Sequence, residues 1–118
     1  MKHISILVPK EAVPAAIVDP RYMFTAINQF YDQAGKDPVF TVELVGLTRQ
    51  VSLINSVFSV NTDRLLKDVK KTDLIIVPAL SGDVRKAVEM NCHRDRAGFH
   101  VFLIRVADLS EEFFQIHF

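Results

Sequence analysis

Cysteine and glycine are scarce in this chain of 118 residues, which has one cysteine, four glycines and no tryptophan. A single cysteine cannot form a disulfide within the chain, so we expect a cytoplasmic protein. Neither a G-x-G-x-x-G nor a G-x-x-x-x-G-K-[ST] pattern occurs, which argues against a loop that cradles phosphate groups. A G-x-S-x-G nucleophile elbow is also missing. On this basis we expect no bound cofactor.

An excess of charge of one sign is missing as well: 14 Lys and Arg residues balance 14 Asp and Glu residues. Proteins that bind nucleic acid usually carry a basic excess, so we expect no direct DNA binding. No apolar run reaches 18 residues, which predicts no membrane-spanning helix. The apolar run near the N-terminus is interrupted by Ser5 and followed by Pro9, so it indicates a first strand and not a signal peptide.

What is present is an alternation of strand-like and helix-like segments. Short runs of apolar and β-branched residues predict buried strands, and residues 50–60 predict a short hairpin or an edge segment. The predicted strands cover residues 3–9, 38–47, 73–80 and 99–107.

Helix signals fall between these strands. Residues 11–18 predict a loop, after which Asp19 at the N-cap and Pro20 at the first helical position predict a helix over residues 19–35. Four residues recur at helical spacing and predict its buried face: Met23, Ile27, Phe30 and Ala34. Further helices are predicted over residues 61–73, 81–91 and 110–118.

Strands that alternate with helices predict βαβ units, a mostly parallel sheet and helices on both of its faces. The right-handed crossover rule leaves few topologies, and a flavodoxin-like α/β three-layer sandwich is the leading one. No repeat or linker divides the chain, so we expect a single domain over residues 1–118.

Candidate binding residues follow the predicted strands, because ligands of open parallel sheets collect at the carboxyl ends of the strands. Glu11 follows the first strand, residues 46–50 follow the second, and Ser81, Gly82 and Asp83 follow the third. Free N–H groups at the start of the helix after Ser81 could bind an anion. The alternative is structural: Ser81 or Asp83 caps this helix and Gly82 makes the turn. In the same way, Glu11 could be a solvated charge.

Cys92, the only cysteine, is followed directly by His93. A nucleophilic thiol needs a helix N-terminus or a base within reach, but Cys92 falls near the predicted end of a helix. A metal site would use Cys92, His93, Asp95 and His100, whose spacing matches no common zinc pattern. We therefore expect no bound metal ion. For Cys92, we favour an ordinary residue in a turn over a reactive thiol.

Three stretches, residues 2–31, 40–63 and 72–83, resemble the opening of a PfpI/DJ-one-like domain of the class I glutamine amidotransferase-like superfamily. The version that they resemble is found at the N-terminus of AraC-type transcriptional regulators. The resemblance covers residues 1–91. Its most specific parts are "DPRYMFTAIN" and "DLIIVPALSGD".

This resemblance implies a flavodoxin-like sandwich, often dimeric, with an acid after strand one and backbone donors after strand three. These positions map onto Glu11, Ser81 and Gly82. Enzymes of the family also carry a cysteine on a tight elbow resembling S-L-C-x-G-A-F, and no such stretch occurs here. Residues 92–118 form a tail that fits no part of the family. Either the gene is truncated or frameshifted, or the domain is naturally shortened and residues 99–107 supply a replacement strand.

The function that the resemblance implies is a non-catalytic regulatory or ligand-sensing domain of an AraC-type regulator that lacks its DNA-binding part. Its expected partners are a small-molecule effector and a second copy of the chain. One alternative is a small cysteine-dependent hydrolase or glyoxalase-type enzyme, with Glu11 and the loop at Ser81 around Cys92. Another is an interaction module that uses the phenylalanine-rich tail.

Overall fold

The computed structural model describes residues 1–81 and, as a strand, residues 114–117. Its elements, in chain order, are β1 (Lys2–Leu7), α1 (Pro14–Gln33), β2 (Phe40–Gly46), β3 (Gln50–Leu53), β4 (Phe58–Asn61), β5 (Arg64–Leu65), a 3-10 turn (Leu66–Asp68), β6 (Leu74–Val77) and β7 (Phe114–His117). Within the described part of the chain, no helix is long and apolar enough to cross a membrane.

Five strands form one sheet in the order β5-β2-β1-β6-β7, and every neighbouring pair is parallel. A second, two-stranded sheet is the antiparallel hairpin of β3 and β4, which confirms the hairpin expected over residues 50–60. The mixed α/β class and the parallel sheet are therefore as the sequence predicts. The helix predicted over residues 81–91, which would contribute to the helical layers of a three-layer sandwich, lies outside the described residues except for Ser81.

Side chains of β1 alternate between the two faces of the sheet, as in any strand. Ile4 and Ile6 pack with Ile17 of α1 in one apolar cluster. Leu7 packs in the other cluster with Ile75 and Leu66. From Ile4 to Leu7 the strand is buried on both sides, and the polar residues His3 and Ser5 each have hydrogen-bond partners.

The first helix begins earlier than the sequence predicts. Residues 14–18 were expected in a loop, but α1 starts at Pro14, and Asp19 is therefore not an N-cap. Proline suits the first helical position because its missing N–H has no intrahelical partner there. Pro20 lies inside the helix and is buried, at a position where it cannot donate the usual backbone hydrogen bond.

The predicted buried face of this helix is also wrong. Met23 is 54% exposed and Phe30 is 70% exposed. The buried and half-buried residues of α1 include Ile17, Pro20 and Phe24, which are three and four residues apart. They lie on a face of the helix next to the predicted one. Phe24 meets Phe40 of β2 edge to face, with ring centroids 5.1 Å apart.

The helix predicted over residues 61–73 is replaced by β5 and the 3-10 turn. Within this segment, the hydroxyl of Thr62 donates to the carbonyl of Thr48 at 2.8 Å. The backbone of Arg64 pairs with Val45 of β2, which draws the segment into the sheet. Leu66 and Val69 are then buried at a spacing of three residues, which suits a 3-10 turn.

The helix predicted over residues 110–118 is wrong as well, since Phe114–His117 form β7 beside β6. The stretch F-Q-I-H alternates apolar and polar residues, a pattern with strand periodicity. Its pairing satisfies the backbone groups along the open edge of β6. The strand predicted over 99–107 and the helix predicted over 81–91 lie outside the described residues, except for Ser81.

Candidate functional site

The loops that follow β1 and β6 meet at the carboxyl end of the sheet, where the sequence places its candidate binding residues. Ala12 and Leu80 form an antiparallel bridge, and the N–H of Val13 donates to the carbonyl of Ala79 at 2.8 Å. The N–H of Ser81 donates to the carbonyl of Glu11 at 2.7 Å. These bonds bring Glu11 and Ser81 together, as expected for two loops at the same sheet edge.

Glu11 adopts a left-handed backbone conformation, with φ at 63°. Such a conformation costs a residue other than glycine on the order of 1 kcal/mol, so surrounding contacts must hold it. They do so through the carbonyl of Glu11, which accepts the N–H of Ser81 and also its hydroxyl, the latter at 3.0 Å. The junction therefore has a defined backbone geometry, and Glu11 within it is half-buried.

The other predicted site residues have different outcomes. Gly82 and Asp83 lie outside the described residues, as do Cys92 and its neighbours His93, Asp95 and His100. The hydroxyl of Ser81 donates its hydrogen bond to the carbonyl of Glu11. In the described part, no group of three or more His, Cys, Asp or Glu residues could hold a metal ion.

A second polar cluster, which the sequence reasoning missed, crosses four adjacent positions of the sheet. Arg64 donates to both carboxylate oxygens of Glu43, from Nε at 2.7 Å and from Nη2 at 2.9 Å. Nε2 of His3 lies 2.9 Å from Oε2 of Glu43, and Nδ1 of His3 lies 2.8 Å from Oγ1 of Thr72. The hydroxyl of Ser5 donates to Oγ1 of Thr72 at 3.0 Å. We call these five residues the polar relay.

One proton position in the polar relay follows from its partner. The Glu43 carboxylate can only accept, so Nε2 of His3 carries the proton that faces it. The single proton of the Thr72 hydroxyl has three possible acceptors: Nδ1 of His3 at 2.8 Å, the carbonyl of His3 at 3.1 Å and the carbonyl of Leu74 at 3.3 Å. The imidazole is thereby held between the Glu43 carboxylate and the Thr72 hydroxyl.

A hydroxyl, an imidazole and a carboxylate in sequence are also the parts of a hydrolytic triad. Here, however, Thr72 and Ser5 are both 0% exposed. A nucleophilic oxygen must reach its substrate, and neither hydroxyl touches solvent. The polar relay consequently joins β1, β2, β5 and the segment before β6 through side-chain hydrogen bonds. It does not offer the exposed hydroxyl that a reaction centre needs.

The pKa values of two carboxyl groups, Glu43 in the polar relay and Asp73 beside it, are lowered, so both groups favour the ionised form. Hydrogen bonding from Arg64 lowers the pKa of the Glu43 carboxyl, burial opposes this, and His3 lowers it further. Beside the relay, the N–H of His3 donates to Oδ2 of Asp73 at 2.8 Å, and this bond lowers the pKa of Asp73. The N–H of Asp73 returns a bond to the carbonyl of His3.

One sequence signal could have pointed to the polar relay. His3, Ser5 and Glu43 are polar residues inside runs that otherwise predict buried strands. Buried polar side chains are nearly always hydrogen-bonded, so such residues predict partners on neighbouring strands. The identity of those partners depends on strand order, which the sequence does not display.

Comparison with known proteins gives matches at the level of structure alone. No family model and no curated protein matches the sequence. A protein from Vibrio parahaemolyticus, provisionally described as a transcriptional regulator, superposes with a TM-score of 0.70 at 14% identity, over 98% of this chain and 55% of that one. The chain thus spans about half the length of that protein.

Two further solved structures carry the superfamily name. A two-domain protein from Anabaena variabilis, with DJ-1/ThiJ/PfpI-like and ferritin-like domains, has a TM-score of 0.60 at 13% identity, over 99% of this chain and 29% of that one. Oxidized DJ-1 from Toxoplasma gondii has a TM-score of 0.55 at 17% identity, over 99% of this chain and 55% of that one. The chain therefore has the flavodoxin-like fold of the DJ-1/PfpI proteins, and its structural neighbours include a protein described as a regulator.

Proposed function

We propose that the chain is a non-catalytic, ligand-sensing regulatory domain of an AraC-type transcriptional regulator, acting in the cytoplasm and without direct contact to DNA. The junction of Glu11 and Ser81 carries this proposal. It offers a carboxylate in a fixed, strained backbone setting, while the neighbouring hydroxyl is already engaged by a carbonyl. Such an arrangement can recognise a small effector but supplies no free nucleophile.

Three further observations support the proposal. The fold is shared with a protein described as a transcriptional regulator. The hydroxyl–imidazole–carboxylate series of the polar relay is closed to substrate, because Thr72 is buried. The formal net charge of zero fits a domain that leaves DNA binding to another part of a regulator.

A thermal-shift screen of the full chain against small carboxylic acids, amines and aldehydes tests effector binding. We expect at least one compound to raise the melting temperature of the natural chain and of Asp37→Asn, but not of Glu11→Gln. Asp37 is a matched control, since it is an exposed carboxylate. If every stabilising compound acts equally on Glu11→Gln, the junction is not the effector site.

Two other measurements separate this proposal from its alternatives. Turnover of methylglyoxal or of an activated ester that disappears in Cys92→Ser would establish the cysteine-dependent enzyme instead. Tight binding to a DNA duplex, weakening steeply with added salt, would show direct DNA binding and overturn the proposal.

We further propose that the domain pairs with a second copy through the outer face of α1. Met23 and Phe30, seven residues apart on this helix, are large apolar side chains that are more than half exposed. Exposed apolar stripes of this kind are typical of interaction surfaces. Light scattering of the eluted chain should give twice the monomer mass, and Phe30→Gln should shift it toward the monomer. A monomeric natural chain at micromolar concentration would refute the pairing.

A further inference from the structure

A cleft of about 450 Å³ lies between α1 and the β3–β4 hairpin. Its volume falls in the range of roughly 300–1,000 Å³ that is usual for sites of small organic ligands. It shares no lining residue with the junction of Glu11 and Ser81. Apolar side chains of α1, β2 and β4 contribute to its wall: Ile17, Leu44 and Val60.

The cleft also contains two opposite charges that do not neutralise each other. Arg21 of α1 and Asp63, between β4 and β5, both line it. Within residues 1–81 they form no ion pair with each other, and the Arg21 guanidinium has no ion-pair partner. Unpaired opposite charges beside a shared apolar wall are complementary to a ligand that carries both signs.

The carboxylate of Asp63 is held in place by the sheet. Its Oδ2 accepts the N–H of Leu44 at 2.8 Å, and its own N–H donates to the carbonyl of Leu44 at 2.8 Å. Its other oxygen has no hydrogen-bond partner among the described residues. A carboxylate fixed in this way can accept a hydrogen bond from an ammonium group without losing side-chain freedom on binding.

We propose that this cleft binds a free α-amino acid with an apolar side chain. The carboxylate of the ligand faces Arg21, its ammonium group faces Asp63, and its side chain packs against Ile17, Leu44 and Val60. A ligand with only one charge leaves either Arg21 or Asp63 unmatched, so it binds more weakly.

Titration calorimetry of the full chain with L-leucine tests this site. We expect saturable binding of one leucine per chain. Leucinamide lacks the carboxylate and 4-methylpentanoate lacks the ammonium group, and each should bind at least about tenfold more weakly. These comparisons use the natural chain alone, so they do not depend on how any variant folds.

Two charge-removing variants assign the contacts. Arg21→Gln should abolish the preference for leucine over leucinamide. Asp63→Asn should abolish the preference for leucine over 4-methylpentanoate, and its amide oxygen can still accept the N–H of Leu44. Arg49→Gln, an exposed arginine outside the cleft, is the matched control and should bind leucine as the natural chain does.

Absence of leucine binding at millimolar concentration would overturn the proposal, and so would equal binding of leucine and both analogues. Leucine binding that neither Arg21→Gln nor Asp63→Asn alters would place the ligand elsewhere. These outcomes are independent of the regulatory function proposed above, which is tested through Glu11→Gln.

Discussion

Oγ1 of Thr72 lies 2.8 Å from Nδ1 of His3, across 69 residues of sequence. The same hydroxyl oxygen accepts a bond from Ser5, and Thr72 is fully buried. One oxygen atom thus joins the segment before β6 to two side chains of β1. Several strands of the sheet are held together at this point by side chains as well as by backbone pairing.

Removing that oxygen should be costly. Thr72→Val preserves the shape of the side chain but leaves the hydroxyl of Ser5 and Nδ1 of His3 without their partner. Buried unsatisfied groups of this kind cost about 1–3 kcal/mol each, so we expect the free energy of unfolding to fall by about 2–3 kcal/mol. Urea denaturation at neutral pH measures this. Thr41→Val on the exposed side of β2 is the control, and an equal loss there would contradict the assignment.

Glu43→Gln should change how stability depends on pH. Because the folded-state pKa of Glu43 is lowered, chiefly by Arg64, ionised Glu43 stabilises the fold fully above its ordinary pKa of 4.5. That contribution is lost as the pH falls through the lower folded-state pKa. At pH 7 we expect the variant to be about 1–2 kcal/mol less stable, a value reduced for the partial exposure of Arg64.

Below the folded-state pKa, the natural chain and Glu43→Gln should converge in stability. Urea titrations between pH 7 and pH 3 give the two curves. Asp37→Asn, which removes an exposed carboxylate, is the control. A difference that stays constant down to pH 3 would show that Glu43 acts through packing and not through its charge.

Asn28 fastens α1 to the start of β2. Its Nδ2 donates to the carbonyl of Phe40 at 2.7 Å, and its Oδ1 accepts the N–H groups of Val39 and Phe40, both at 3.0 Å. Asn28→Ala removes three bonds to backbone groups, and we expect a loss of about 2 kcal/mol in the free energy of unfolding. Gln29→Ala, at the exposed neighbouring position, should cost far less. Comparable losses for both would contradict the fastening, because alanine has the higher helix propensity and Gln29 makes none of these bonds.

Gly46 at the end of β2 has no room for a side chain. A Cβ there would lie 2.7 Å from Cγ2 of Thr62 and 3.2 Å from Cγ2 of Val51. Gly46→Ala should therefore destabilise the chain by about 1–3 kcal/mol through overpacking. Thr62→Ser removes the nearer methyl group and keeps the hydroxyl that binds the Thr48 carbonyl.

The double variant Gly46→Ala/Thr62→Ser should consequently recover part of the stability that Gly46→Ala loses. A double-mutant cycle from chemical denaturation gives this coupling directly. Strict additivity of the two single changes would place the strain elsewhere, for instance on the Thr48 carbonyl.

Strand assignment from the sequence succeeds for β1, β2 and β6, because each contains a short run of apolar and β-branched residues, even where a polar residue such as Ser5 or Glu43 interrupts it. Helix assignment is less successful. The pattern around Asp19 and Pro20 satisfies the rules for a helix start, yet Pro14 satisfies them as well. Burial of Ile17 in the apolar cluster that includes Ile4 and Ile6 of β1 decides between them.

The candidate site was likewise predicted only in part from the sequence. Glu11 and Ser81 were expected at one edge of the sheet, since loops after neighbouring parallel strands converge, and they do lie together. The left-handed conformation of Glu11 has no signature in the sequence, because glycine is the residue expected at such an angle. The single domain over residues 1–118, with a family-like part up to residue 91 and an atypical tail, stays a prediction.

The amino-acid sequence by itself therefore determined the α/β class, the parallel strands and the region where loops converge, since each follows from local apolar periodicity. Only the tertiary structure decided that His3, Glu43, Thr72 and Arg64 form one relay, and that Arg21 and Asp63 share a cleft. The reason is physical: periodicity records which side of an element is buried, whereas strand order determines which distant polar groups meet. Hydrogen bonds across 20 to 70 residues of sequence form only after the sheet has brought their partners together.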